Sequence, residues 1–231
     1  MASPKSYCTD QEMEIVVIDG SEFQFLDWHL NSFWEKAPEF DVQSTSNWAG
    51  YTAKWEIKDG KLWLTAFSAK LKGKVVEPKD VFHAELPIHA TWVNGPSYAA
   101  KKLNRTNSTF TARDVERVFF VDGIVHKRSH IESANVNWGR LGIGFENTGG
   151  KLTIKRVVGG SPAEQCGRLS VGDEVISMRD LDDEIFDTSA FSVVKAAQFF
   201  RGLADQPIRF SICSGKSGEE IAIELKRVQS F

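Results

Sequence analysis

The sequence lacks a long apolar run and an excess of charge of either sign. It has 231 residues, with 28 Lys and Arg against 31 Asp and Glu, which gives a net charge of -3. Because basic and acidic residues are interspersed, neither nucleic acid nor an anionic membrane is favoured as a partner. No segment approaches the ~20 apolar residues that span a bilayer, and the first residues show no apolar run typical of a signal peptide. We therefore expect a cytoplasmic protein.

Cysteine is scarce as well. The three cysteines, Cys8, Cys166 and Cys213, are far apart and form no Cys-x-x-Cys pair. This pattern favours neither a disulfide framework nor a thiolate zinc site, so we expect reduced thiols. His126 and His130 are four residues apart, but on a strand that spacing does not form the one-turn pair of a helical zinc site. The sequence predicts no metal and no cofactor.

Catalytic motifs are missing too. There is no Gly-x-Ser-x-Gly motif, and Ser161 in "VVGGSPA" is predicted to cap a helix. We therefore expect that the protein is not an enzyme and has no catalytic residues. The alternative is an enzyme whose site lies in the N-terminal part. That alternative requires a cleft in which titratable groups with shifted pKa values cluster, such as His83, His89, Asp59 and Glu56.

The distribution of tryptophan indicates a boundary within the chain. All seven tryptophans, from Trp28 to Trp138, precede residue 139, after which glycine becomes dense. We place a junction in the polar segment 131–139 and predict an α+β protein with two domains, residues 13–133 and 137–228. The tryptophans could form a ligand-binding face, but core packing is the expected use.

The N-terminal domain is predicted to be β-rich and antiparallel. Asp59-Gly60 and Asp122-Gly123 each separate two extended runs, as in hairpins whose turns need positive φ. One helix, ended by Pro38, is predicted from apolar residues at spacings of three and four. These residues are Phe23, Leu26, Leu30, Phe33 and Trp34.

After Gly139 the predicted order is strand, strand, short helix, strand, longer helix, strand, strand. "SPAEQCG", residues 161–167, has the cap, the first-turn proline and the terminal glycine of a short helix. The longer helix is expected to begin after Ser189 and to run to Gly202. Its two apolar faces carry Val193, Ala197 and Phe200, and Ala196, Phe199 and Leu203.

Residues 137–228 resemble a PDZ domain. "GIGF", residues 142–145, resembles the Gly-Φ-Gly-Φ carboxylate-binding loop, and "KLTIKRVVGGSPAEQCGRLSVGDEVISM" resembles the strand, helix and Gly-Asp turn that follow it. "VVKAAQFFRGLADQPIRFSI" is similar to the second helix and next strand of the family. The sequence "GSPAEQCGRLSVGDEVISM" is most similar to PDZ domains attached to bacterial proteases, which suggests a bacterial origin. The resemblance implies a partly open β-barrel with two helices that binds the C-terminus or an extended segment of a partner by strand addition.

The resemblance also implies a binding site. The amides of residues 143–145 would hold a terminal carboxylate, and side chains at positions 142 and 144 would crowd the ligand or forbid the dihedrals. The family often has Arg or Lys where Trp138 stands here, and Arg140 is the nearby basic residue. Valine at 193 has no polar atom, so an apolar residue is expected at the third-from-last ligand position. The implied peptide-binding residues are Arg140, Leu141, Gly142, Ile143, Gly144, Phe145, Val193, Ala197 and Phe200.

The expected partner is a protein or peptide with an apolar C-terminal residue, and the oligomeric state is left open.

Residues 13–130, with "LNSFWEKAPEF" and "STSNWAGYTAKWEIKDGKLWL", are similar to an uncharacterised family of small bacterial proteins, which implies no function. Two further hypotheses stay open. One is an inhibitor or immunity-type binder that uses exposed aromatic residues, and the other is a PDZ fold used only for packing.

Overall fold

Strands dominate the structure. The computed structural model describes residues 13–34, 37–42, 44, 46–106, 109–180 and 184–229. In these ranges the α-helices are short, so the predicted β-rich character is confirmed. None of the helices described there is long and apolar enough to cross a membrane.

The chain forms two compact units. The first unit comprises residues up to Val93, Ser97–Lys102 and Val115–His130, and the second comprises Asn94–Pro96, Leu103–Asp114 and residues from Ile131 onward. The units are therefore interleaved along the chain. The consecutive domain ranges 13–133 and 137–228 stay a prediction.

The first sheet closes on itself. Its described strands are β1 (Ile15–Ile18), β2 (Ser21–Phe25), β3 (Tyr51–Lys58), β4 (Lys61–Leu71), β5 (Lys74–Val75), β6 (Ile88–His89), β7 (Gly95–Thr106), β8 (Thr109–Val121) and β9 (Ile124–Asn135). Neighbours follow the order β3-β1-β2-β7-β8-β9-β4-β5, and β6 pairs with β4. Because β3 also pairs with β4, the long strands form a closed ring. Helix α1 (Pro78–Phe82) lies between β5 and β6 in the chain.

Both predicted hairpins are confirmed. Asp59 and Gly60 have φ of 51° and 70° between β3 and β4, and Asp122 and Gly123 have φ of 51° and 73° between β8 and β9. Positive φ at both turn positions matches the right-handed twist of the strands. The predicted antiparallel sheet contains one pairing that differs, because β1 and β3 pair in parallel. The long segment between these two strands gives the chain room for the crossover that a parallel pair requires.

The helix predicted between Phe23 and Pro38 is wrong. Phe23 and Phe25 are the buried positions of β2, and only His29–Ser32 turns, as a short 3₁₀ helix. The helical spacing arises because alternate strand positions and one turn place apolar residues in the same core. Pairing of β2 with β1 therefore outweighs local periodicity. Residues 35 and 36 of the predicted helix lie outside the described ranges.

Aromatic residues fill the core of the first unit. Trp55 is fully buried, and Trp34 and Trp92 pack against the same cluster. The expectation of core packing is confirmed for these three tryptophans. Trp48, which lies outside the predicted strands, is 65% exposed.

The second sheet has β10 (Ile143–Thr148) at one end and β15 (Glu220–Lys226) at the other. Its other described strands are β11 (Lys151–Val157), β12 (Glu174–Arg179), β13 (Ile185–Asp187) and β14 (Pro207–Cys213). They follow the order β10-β11-β12-β14-β15, with β13 beside β12. Arg140 and Val228 exchange two backbone hydrogen bonds of 2.7 and 3.1 Å. This bridge joins the entry to β10 with the exit from β15.

The short helix α2 (Pro162–Gln165) forms as predicted. The Ser161 hydroxyl accepts the amide of Glu164 at 3.3 Å, and the Glu164 carboxylate accepts the amide of Gly160 at 2.7 Å. The first bond satisfies an amide that the first helical turn leaves without a partner, and the second holds the residue before the cap.

Helix α3 (Val193–Phe199) is shorter than predicted at both ends. Thr188 cannot cap it, because its hydroxyl donates to the carbonyl of Val175. Ser192 caps the helix instead by accepting the amide of Lys195 at 3.1 Å. The sequence signals before Ser192 belong to the preceding loop.

Candidate functional site

A groove of about 310 Å³ lies between β10 and α3 in the second unit. Eight of the nine predicted site residues line it: Leu141, Gly142, Ile143, Gly144, Phe145, Val193, Ala197 and Phe200. Gly139 and Arg201, which the sequence analysis did not assign to the site, line it as well. Arg140 does not; it is exposed and its backbone is paired with Val228.

The floor of the groove begins at an anchored loop. The carbonyl of Leu141 accepts the amide of Ala163 at 3.0 Å, and the carbonyl of Gly142 accepts the amide of Val158 at 2.9 Å. Both carbonyls are therefore committed to the protein. Among the described residues, no hydrogen bond outside the pairing of β10 with β11 involves the amides of 143–145. Since an edge strand directs alternate backbone groups away from its neighbour, β10 has a side available for a further strand.

The backbone requires glycine at position 142 but not at position 144. Gly142 has φ of 79°, a left-handed conformation that favours glycine, so the dihedral argument is confirmed at this position. Gly144 is different, because a Cβ there would lie 3.5 Å from the Cβ of Arg156, an ordinary contact. Neither backbone strain nor packing requires glycine at 144. The remaining reason, close approach of a ligand, stays a prediction.

Aromatic and aliphatic side chains form the walls. The rings of Phe145 and Phe200 lie 4.8 Å apart in an edge-to-face arrangement, and Phe200 also contacts Phe210 at 5.1 Å. On the helix, Val193 is 36% exposed and Ala197 is exposed. The adjoining face of α3 is buried in the core of the unit, as the sequence pattern predicts. The groove therefore presents an apolar pocket near the loop.

A buried arginine holds the end of α3. Arg227 is 4% exposed, and its guanidinium donates to the carbonyls of Phe200 at 3.1 Å, Arg201 at 3.1 Å and Pro207 at 2.9 Å. The last carbonyls of a helix lack partners within it, and a cation near them is favourable. Gly202 permits this contact, because a Cβ there would lie 2.7 Å from the Arg227 guanidinium carbon. Arg227 thus fixes the backbone of two groove residues.

The cation of the groove is Arg201. Its guanidinium lies 5.7 Å from the centre of the Trp138 ring, within the range of a cation–π contact. Arg201 is half-buried, and burial lowers its pKa. Arg140, the basic residue that the sequence analysis names, does not line the groove, and its role in binding stays a prediction. The sequence carried no local signal for Arg201, because its aromatic partner lies on a distant segment.

A second cluster of polar groups lies in the first unit. Glu14 is 3% exposed. Its carboxylate accepts four hydrogen bonds, from the amides of His29 and Leu30 at 3.0 and 3.5 Å, the indole of Trp55 at 2.8 Å and the hydroxyl of Tyr51 at 3.2 Å. Burial raises the pKa of Glu14 to about 7, although these hydrogen bonds act in the opposite direction. The carboxylate therefore ties the 3₁₀ turn to β3.

A cavity of about 250 Å³ adjoins Glu14. It is lined by Met13, Glu14, Ile15, Gln24, Trp28, Ala49, Tyr51, Thr52 and Ala53. His29, next to this cluster, is 3% exposed, and its ring lies 4.1 Å from that of Phe25. Among the described residues its Nε2 has no hydrogen-bond partner. Burial lowers the pKa of His29 to about 3, so the imidazole is neutral.

Glu14 and His29 predict opposite effects of pH on folding. The pKa of Glu14 rises from 4.5 to about 7 on folding, so the folded state keeps a proton that the unfolded state loses, and stability falls as pH rises through this window. The pKa of His29 falls from 6.5 to about 3, so its contribution to stability is lost as pH falls. Between pH 4.5 and 6.5 the two slopes, each about 1.4 kcal/mol per pH unit, have opposite signs.

The Glu14→Gln variant is expected to separate the pH dependence of stability that comes from Glu14 from that of His29. The free energy of unfolding of the wild type minus that of the variant should shrink by about 1.4 kcal/mol per unit between pH 4.5 and 7. Urea unfolding at a series of pH values measures this difference. Glu22→Gln, at an exposed site, serves as the control and should follow the wild type. A constant difference between the wild type and Glu14→Gln would contradict the titration assigned to Glu14.

The residues named for the enzyme alternative do not line either of these two cavities. Glu56 and His89 are cross-strand neighbours of Trp63, Asp59 lies in a turn, and His83 ends α1. Within the described ranges, no three His, Cys, Asp or Glu side chains come together as a metal site requires.

The structure also describes one of the histidines and two of the cysteines weighed in the sequence analysis. His130 Nδ1 lies 3.0 Å from a carboxylate oxygen of Glu116. Cys166 and Cys213 are free thiols, and Cys8 lies outside the described residues.

Comparisons with known proteins find similar solved structures but no matching family model and no matching curated protein. One similar solved structure is the PDZ domain of a carboxy-terminal protease from Vibrio cholerae in complex with a peptide, with 20% identity and a TM-score of 0.36 over 39% of this chain and 93% of that one. Another is a Photosystem II D1 C-terminal processing protease, with 16% identity and a TM-score of 0.36 over 41% of this chain and 24% of that one.

Proposed function

We propose that this chain is a protein-interaction protein whose second unit is a PDZ-like peptide-binding module. It binds the C-terminus, or an extended segment, of a partner by adding a strand to β10. The observation that carries the proposal is the groove between β10 and α3, because an edge strand and an apolar pocket face the same space. An extended peptide fits both features, since its backbone pairs with the strand while alternate side chains face the helix.

The last residue of the peptide contributes most to affinity. An apolar side chain in the pocket beside Phe145 and Phe200 is worth about 1.5–3 kcal/mol on burial. Hydrogen bonds from the loop amides to a carboxylate are worth roughly 1.5–3 kcal/mol each, whereas a neutral backbone bond is worth about 0.5–1.5 kcal/mol. The partner is therefore a protein or peptide with an apolar C-terminal residue. Val193, on the groove side of α3, favours an apolar residue at the third-from-last position as well.

Filling the groove tests the proposal. Ala197→Trp places an indole in the space that the peptide would occupy, and we expect it to weaken binding at least ~30-fold, the equivalent of about 2 kcal/mol. Fluorescence anisotropy with a short labelled peptide ending in Val-Ala-Val measures the change.

Val194→Trp is the matched control. Val194 lies on the same helix and is 53% exposed, but it does not line the groove. This variant adds the same indole and should bind as the wild type does. Equal affinity of the Ala197→Trp variant and the wild type would show that the peptide does not occupy the groove.

A second candidate function is acid–base catalysis in the first unit. The cavity beside Glu14 supports it, since a carboxyl with a pKa of about 7 suits proton transfer near neutral pH. The hydrogen bonds of Glu14 weigh against it, because two amides and an indole can only donate and already occupy its oxygens. We therefore rank this candidate below peptide binding.

A further inference from the structure

The cavity beside Glu14 lies at one end of the first sheet. Because β1 runs parallel to β3 and antiparallel to β2, the start of β1, the start of β3 and the end of β2 lie at the same end. Glu14 directly precedes β1, Tyr51 begins β3, and Trp28 follows β2. All three line the cavity, whose volume of about 250 Å³ is several times the ~30 Å³ of a water molecule. The cavity therefore has room for a small organic group.

The charge of Glu14 has no cation to balance it. The groups that donate to its carboxylate are two backbone amides, an indole and a phenol, and all of them are neutral. In the part of the chain that the structure describes, no lysine, arginine or histidine forms an ion pair with it. Burial without a compensating charge raises the pKa of Glu14 to about 7. A cation that enters the cavity therefore stabilises the ionised carboxylate.

The hydrogen bonds of Glu14 also limit the kind of cation. A carboxylate has about four lone-pair sites, and the four bonds to Glu14 occupy them. A primary ammonium needs free acceptors for its N–H groups, and a metal ion needs free ligands, which the described residues do not gather into a metal site. A quaternary ammonium has no N–H groups. It binds through its charge and through contact of its methyl groups with aromatic rings.

Trp28 supplies an aromatic ring for such a contact. It is half-buried and lines the cavity, and no ring contact with another described residue involves its indole. Tyr51 differs, because its ring already packs against Trp34, Phe40 and Phe67. The indole of Trp28 is therefore available to a ligand, and tryptophan is the aromatic side chain that attracts a cation most strongly.

We propose that the cavity beside Glu14 binds a small quaternary ammonium group, with the carboxylate balancing its charge and the indole of Trp28 contacting its methyl groups. The inference adds a small-molecule site in the first unit to the peptide binding proposed for the second.

Three probes of similar size test the chemistry of the site. Choline carries the quaternary ammonium, its neutral analogue carries a tert-butyl group in place of the trimethylammonium group, and ethanolammonium keeps the charge but has N–H groups instead of methyl groups. Isothermal titration calorimetry of the full chain is carried out at about pH 8, above the pKa of about 7 of Glu14. Choline is expected to bind at least ~10-fold more tightly than either of the other two.

Each comparison has an outcome that overturns the proposal. Equal affinity for choline and the neutral alcohol would show that charge is not recognised. Equal affinity for choline and ethanolammonium would show that the methyl groups are not recognised. Absence of choline binding rejects the site outright and leaves peptide binding by the second unit unaffected.

Two variants test the assigned residues. Trp28→Leu is expected to weaken choline binding at least ~10-fold. Trp48→Leu is the matched control, because Trp48 belongs to the same unit, is 65% exposed and does not line the cavity, so this variant should bind choline as the wild type does. Glu14→Gln should bind the neutral alcohol as the wild type does but lose the preference for choline.

Unchanged choline affinity in Trp28→Leu, or an unchanged preference in Glu14→Gln, contradicts the proposal. If Glu14→Gln does not fold, the comparison of Trp28→Leu with Trp48→Leu decides alone.

Vesicles of phosphatidylcholine distinguish two sources of the quaternary ammonium group. Cosedimentation of the wild type with the vesicles, lost in Trp28→Leu, assigns the group to a lipid headgroup. Choline binding without cosedimentation assigns it to a free small molecule.

Discussion

Replacing Glu14 with alanine is expected to lower the free energy of unfolding of the first unit by about 3–5 kcal/mol. The change leaves two backbone amides, an indole and a phenol without their acceptor, all of them inside the unit. Each unsatisfied buried group costs about 1–3 kcal/mol, and water entering the adjoining cavity offsets part of the loss. Chemical unfolding followed by tryptophan fluorescence measures the effect, because six of the seven tryptophans belong to the first unit.

Glu22→Ala provides the comparison for Glu14→Ala. Glu22 lies on β2, and its carboxylate pairs with Lys54 at 2.6 Å in an exposed position. Exposed ion pairs contribute about 0–1 kcal/mol, so this variant should unfold close to the wild type. Equal losses for the two variants would mean that the Glu14 network adds nothing beyond a surface charge.

Replacing Arg227 with leucine is expected to cost the second unit about 3 kcal/mol or more and to weaken peptide binding at the same time. The variant removes the donors of the carbonyls of Phe200, Arg201 and Pro207. The end of α3 should loosen, and with it the pocket that Phe200 forms. Hydrogen exchange detected by mass spectrometry measures the result as faster exchange in residues 193–201.

Lys226→Leu is the control for Arg227→Leu. Its ammonium pairs with Asp205 at 3.1 Å, and the side chain is 66% exposed. Removing this neighbouring charge should leave both the exchange of α3 and the peptide affinity unchanged. Slow exchange in Arg227→Leu, equal to that of the control, would contradict the anchoring role of Arg227.

Local features were predictable from the sequence. The turns at Asp59-Gly60 and Asp122-Gly123 and the cap at Ser161 form as predicted, because each depends on residues within about one helical turn or one hairpin loop. The loop at 142–145 and the groove face of α3 were also found, since glycine spacing and helical periodicity are visible in the chain.

Long-range features were not predictable. The segment that begins at Phe23 has helical periodicity, but its first residues, up to Phe25, belong to β2, which pairs with β1. Glu14 gave no signal, since its indole donor Trp55 lies 41 residues further along the chain. Arg201 was missed for the same physical reason, as its contact with Trp138 exists only after the second unit has folded. Side chains that meet through tertiary structure leave no pattern in the order of residues.

The closed ring of strands in the first sheet has a consequence for aggregation. Each of its long strands has a neighbour on both sides, so this sheet offers little backbone to which another copy could attach. β10 keeps one side open, and the same opening that admits a partner also admits misassembly. At high concentration, aggregation of this chain should therefore begin at the end strands of the second sheet, and an added peptide ligand should suppress the part that begins at β10.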